Sequence, residues 1–167
     1  ILFDSEHHAA LLPWRGPNVQ RIPAPSSSGA AVVALDRALA AAPVGPRLVI
    51  VTGASNVTGE LWPVAELAKV ARSHGARIAL DAAQLAPHRP IDARALGVDY
   101  IAFSGHKIYG PKGVGVLYVS NDLTDETDLA PLFHGGGQER GIPAGTLNTA
   151  GIAGMGVAVA IAADRRA

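Results

Sequence analysis

At 167 residues the chain is long enough for one ordinary domain with its own core and short for two. Hydrophobic residues make up 49% and charged residues 17%, while 14 basic residues balance 14 acidic ones; this is a globular composition without the clustered positive charge of a nucleic-acid binder. No apolar run is long enough to span a bilayer, and zero cysteines exclude disulfides, thiolate metal sites and thiol nucleophiles within these residues, which suits a reducing, cytoplasmic setting.

The chain opens on Ile1-Leu2-Phe3, which reads as a buried strand with no polar lead-in, so the expectation is a piece of a longer protein. Asp4 to His8 follow, then a short apolar segment ending at Pro13-Trp14, and Val19 to Ile22 reads as a brief strand. After the Pro/Ser/Gly loop 23–29, residues Ala30 to Ala42 have helical composition, ended by Pro43 and Gly45. Leu48 to Val51 is a continuous apolar run, the sign of a strand buried on both faces. Pro63 suits a first helical residue. Val64, Leu67, Ala68 and Ala71 then share one helix face, and Gly75 suits the stop.

Strand Arg77 to Leu80 ends at Asp81, a short helix is expected around Asp92 to Leu96, and strand Tyr100 to Phe103 ends at Ser104. Val114 to Val119 forms a further apolar run, close enough to pair back as a hairpin-like neighbour. Ile152 to Ala163 reads as a helix. Strands alternating with helices predict an α/β fold: a mainly parallel sheet flanked by helices, with right-handed crossovers.

In such a sheet ligands bind at the carboxyl ends of the strands. The polar residues there are Asn56, Asp81, Gln84, Ser104, His106 and Lys107, which set an amide, a carboxylate, a hydroxyl, an imidazole and an amine along one rim. Any one of them could simply begin a loop; six from three successive strands argue for a site. Within Ser104 to Gly113, small residues allow a tight turn whose N–H groups, Ser hydroxyl and His can face a phosphate. A lysine beside such a turn can form a Schiff base with a carbonyl, and an Asp at the neighbouring strand end suits a pyridine nitrogen. Of the other two lysines, Lys69 lies on a helix and Lys112 follows Pro111, a position that favours solvent.

Asp81-Ala82-Ala83-Gln84, Phe103-Ser104-Gly105-His106-Lys107 and Gly110-Pro111-Lys112-Gly113-Val114-Gly115 resemble the class V aminotransferase group of fold-type I pyridoxal-phosphate enzymes. Within it the likeness runs toward cysteine desulfurases and selenocysteine lyases. Glu6-His7-His8 with Pro13-Trp14, Ser55 to Gly59, Gly135 to Gly141 and Gly145 to Thr149 extend the resemblance over nearly the whole chain.

The resemblance implies pyridoxal 5'-phosphate as cofactor and a role for each matching position. Lys107 would carry the Schiff base and shuttle the substrate's α-proton. Asp81 would pair with the pyridine nitrogen, Gln84 would bond the phenolic oxygen, and Asn56 would lie near that oxygen and the substrate carboxylate. His7 would stack on the ring and serve in proton transfer, while Ser104 and His106 would hold the phosphate. Thr146 would reach the cofactor of a partner subunit, making a homodimer part of the site. A small amino acid would be the substrate and a sulfur-acceptor protein a further partner, with no nucleic acid and no membrane involved.

The same residues have plainer readings. His7 and His8 could be a surface pair, and Asp4, His7 and His8 make a weak metal set with nothing to complete it. His74, His88 and His134 read as surface or packing residues. Gly135 to Gly137 could be a plain loop. Val51-Thr52-Gly53-Ala54-Ser55 resembles the opening of a short-chain dehydrogenase fingerprint, but Val57 stands where that motif needs glycine and Phe103 where it needs tyrosine.

Three parts of the family pattern fall outside these residues: an upstream Gly/Thr turn over the phosphate, a C-terminal small domain with a carboxylate-binding arginine, and a persulfide-forming cysteine. The interval from Gly137 to Thr146 resembles one desulfurase branch, and Glu6-His7-His8 with Trp14 the other. The expectation is therefore a large-domain core over residues 1–167 of an enzyme cleaving C–S or C–Se bonds. An aminotransferase or other lyase of the same class would share every residue above. An inactive fragment or scaffold is the non-enzymatic alternative.

Overall fold

A computed structural model describes residues 1–121, 132–136, 138 and 145–165. Its sheet has six strands: β1 (Leu2–Phe3), β2 (Arg21–Ile22), β3 (Leu48–Thr52), β4 (Arg77–Asp81), β5 (Tyr100–Ser104) and β6 (Gly115–Val119). The spatial order is β2-β1-β3-β4-β5-β6. All pairings are parallel except β5 with β6, which is antiparallel. The mainly parallel α/β layer and the back-paired last strand are as the sequence predicts.

Helices α1 (His8–Leu11), α2 (Ser28–Ala41), α3 (Val64–Ser73), α4 (Ala93–Leu96) and α5 (Thr149–Asp164) complete the fold with a 3-10 turn at Gly105–Ile108. Several boundaries differ from composition alone because side chains cap the ends. α2 starts two residues before Ala30, where the Ser27 hydroxyl accepts the Ala30 N–H at 3.2 Å. α5 begins at Thr149 because Asn148 Oδ1 accepts the Gly151 N–H at 3.0 Å. Pro63 occupies the cap position, one residue earlier than expected, and Gly75 ends that segment at φ +67°. The strand expected over Val19 to Ile22 is confined to Arg21–Ile22, the two residues that pair with β1.

Register explains why one face makes the core and the other the site. Val51, Leu80 and Ile101 lie in one cross-strand row and are buried, as are Val49 and Ile78. They pack with Leu35 and Leu39 of α2 and Leu67, Ala68 and Ala71 of α3 in the central hydrophobic cluster. Alternation sends the intervening residues to the opposite face: the row Ile50-Ala79-Tyr100 and the row Thr52-Asp81-Ala102, which continues to Leu117. An all-apolar β3 thus serves two surfaces at once.

Short α4 carries the chain from β4 to β5. Asp92 Oδ1 accepts the N–H groups of Arg94 and Ala95 at 2.9 and 3.0 Å, and Gly97 closes the helix at φ +69°. Asp92→Ala is expected to lower stability by about 1 kcal/mol, seen as a lower urea midpoint at an unchanged slope.

Candidate active site

The ends of β3, β4 and β5 open onto a cavity of about 550 Å³, within the range of small-molecule sites. Its walls include His7, Asn56, Asp81, Gln84, Ser104, His106 and Lys107, so seven residues singled out from sequence converge on one space. The floor is sheet: Ala79, Ala102 and Leu117 present small or apolar surface there. Thr146, exposed in the turn before α5, does not line this cavity. Of the motif Gly135 to Gly141, Gly137 and residues 139–141 lie outside the described residues.

Three of the wall residues, Asp81, His7 and Lys107, are placed by local devices. Asp81 ends β4, and its Oδ1 accepts the Ala83 N–H at 2.9 Å, which fixes the carboxylate at the strand end. Its own carbonyl accepts the Gly53 N–H at 2.9 Å, tying β4 to the loop that carries Asn56. His7 caps α1: its Nδ1 accepts the Ala9 N–H at 3.1 Å. A neutral imidazole accepting at Nδ1 carries its proton on Nε2, the remaining donor.

Lys107 sits on the 3-10 turn directly after β5. Tyr109 ends that turn at φ +63°, the one non-glycine with positive φ among the described residues, and its N–H bonds the Gly105 carbonyl. A left-handed tyrosine two residues after Lys107 is local strain. The start of the same turn is fixed by close approach. A Cβ on Gly105 would meet Val114 Cγ2 at 2.9 Å and Met155 Sδ at 3.2 Å, so α5 presses directly on the turn. Gly105→Ala is expected to cost about 1–3 kcal/mol and displace Lys107. A lower melting temperature together with weaker retention of added pyridoxal phosphate would show both effects.

Sequence reading gave Glu6 no role beyond its place in a motif. The structure buries it, 4% exposed, with neither carboxylate oxygen hydrogen-bonded. Burial pushes its pKa up to about 8; the nearby Thr52 backbone, which makes no hydrogen bond of good geometry to it, offsets part of this, and the negative charge of Asp81 adds to it. Glutamate beside two histidines in a loop normally signals a solvated face. No pattern in the sequence marks this one as interior.

The donor set suits pyridoxal phosphate by its chemistry. An amine, a strand-end carboxylate, two amides, a hydroxyl and imidazoles surround an apolar floor, matching a flat ring with a carbonyl, a ring nitrogen, a phenolic oxygen and a phosphate.

Comparison with known proteins agrees. The Aminotransferase class-V family profile matches residues 1–166. A cysteine desulfurase of Frankia sp. strain EuIK1 is 49% identical over 120 residues, covering 72% of this chain and 28% of that protein. A cysteine desulfurase of Enterobacter sp. strain 638 is 37% identical over 181 aligned positions, covering 95% of this chain and 43% of that protein. The solved structure of a NifS-like protein from Rickettsia africae superimposes with TM-score 0.87 at 31% identity, over 98% of this chain and 44% of that one. The chain therefore spans less than half the length of these relatives. Sheet order, rim chemistry and family match coincide: the chain belongs to the class V aminotransferase family of fold-type I pyridoxal-phosphate enzymes.

Proposed function

We propose that the protein is a pyridoxal-phosphate enzyme that removes sulfur, or selenium, from a cysteine-like amino acid, with residues 1–167 forming the core of its cofactor-binding domain. The observation that carries this reading is the convergence of Lys107, Asp81, Gln84, Asn56, Ser104, His106 and His7 on one cavity. The cysteine desulfurase relatives direct the choice of substrate.

Bound pyridoxal phosphate would supply an electron sink conjugated to the substrate's α-carbon. The protein's part is attachment, orientation and proton handling. Lys107 Nζ would bond the cofactor's carbonyl, and its amine would carry the substrate's α-proton. Asp81, held by the Ala83 N–H, would pair with the ring nitrogen and keep it protonated. Gln84 would hydrogen-bond the phenolic oxygen, and Asn56 would lie near that oxygen and the substrate carboxylate. Ser104 and His106 would hold the phosphate, His7 would stack on the ring, and Thr146 would reach the phosphate of a partner subunit's cofactor in a homodimer.

These residues contain no thiol, so the sulfur leaves to a thiol elsewhere, on another part of the protein or on an acceptor protein. The test is a product assay on the complete protein with pyridoxal phosphate, cysteine and a dithiol. Alanine and sulfide formed in equal amounts are expected. Transfer of the amino group to a keto acid without sulfide would instead establish an aminotransferase.

A further inference from the structure

Glu6 belongs to a second cavity of about 550 Å³ that shares His7 and Asn56 with the first. It stands just past β1, and Thr52 of β3, whose backbone faces it, is the direct register partner of Asp81 on β4. Glu6 and Asp81 are thus separated only by the end of the intervening strand. We propose that Glu6 is a positioning residue that acts through Asp81, setting how firmly Asp81 holds the proton on the cofactor's ring nitrogen; the inference rests on the pyridoxal-phosphate reading above.

Two buried-side observations carry it. First, a carboxyl group that is 4% exposed with both oxygens unpartnered is costly as an anion and persists more easily as the neutral acid. Second, the charges facing it are unequal. Asp4, His7 and His8 of its own segment and Glu60 of the loop after β3 are exposed, where water and salt screen them. Asp81, half-buried at the end of β4, is the charge that acts on Glu6. While Glu6 keeps its proton, Asp81 stands as the single negative charge behind the ring. When Glu6 ionises, a second negative charge strengthens the hold on the ring-nitrogen proton.

The test uses the complete protein in two measurements. In the cofactor-free protein carrying carboxyl-labelled glutamate, the signal lost in Glu6→Gln identifies Glu6, and in the wild type it should titrate near pH 8. With pyridoxal phosphate bound, visible absorbance is followed against pH in the wild type and in Glu6→Gln, which keeps the shape and neutrality of the protonated acid. The difference between the two titrations should show an inflection at the pH where the carboxyl titrates. Superimposable curves, or a Glu6 carboxyl titrating in the ordinary carboxylate range, would overturn the inference. If the wild type shows no borohydride-reducible visible band, the cofactor reading itself fails and this inference with it. Should Glu6→Gln fold poorly, the wild-type spectrum alone still decides: a glutamate carboxyl signal titrating well above the ordinary carboxylate range is expected, and its absence would overturn the inference.

Discussion

Lys107→Ala is expected to abolish turnover, lowering kcat/KM by at least about a thousandfold, more than roughly 4 kcal/mol of barrier. The size follows from the absence of a substitute among residues 1–167. The chain has three lysines; Lys107 alone lines the cavity, while Lys69 lies exposed on α3 and Lys112 exposed beyond Pro111. Steady-state rates of sulfide release by the wild type and the variant measure the effect. A variant retaining a tenth of the activity would show that another group does the work assigned to Lys107.

The second large effect is on folding. Glu6 titrates near its ordinary 4.5 when unfolded and near 8 when folded. Below both values each state is protonated and the group contributes no difference. Between them the folded state holds a proton that the unfolded state has lost, so stability falls as pH rises, by up to about 1.4 kcal/mol per pH unit. Above pH 8 both states are ionised and the slope ends. Urea unfolding of the wild type from pH 5 to 8.5 should therefore show declining stability, and Glu6→Gln should remove most of that decline. Parallel curves for the two proteins would mean that Glu6 is solvated or paired.

The rim was legible because strand ends in a parallel sheet are set by local pattern. Asp81 and Ser104 each follow an uninterrupted apolar run, and in the structure they close β4 and β5. Helix starts were legible only to within a few residues, since the caps of Ser27 and Asn148 depend on how each side chain folds back on its own N–H groups. Glu6 was not legible at all. Its burial arises where β1 inserts between β2 and β3, a long-range pairing that no window of sequence contains. The Nδ1 cap made by His7 escaped for a related reason: α1 is four residues long and has no periodicity to announce it.

On the function proposed above, Lys107 is the residue that bonds the cofactor. Peptide mapping after borohydride reduction of the complete protein with pyridoxal phosphate tests it most directly. A single pyridoxyl adduct is expected on the peptide containing Lys107, and none in Lys107→Ala. An adduct confined to Lys69 or Lys112, or no adduct in the wild type, would contradict it.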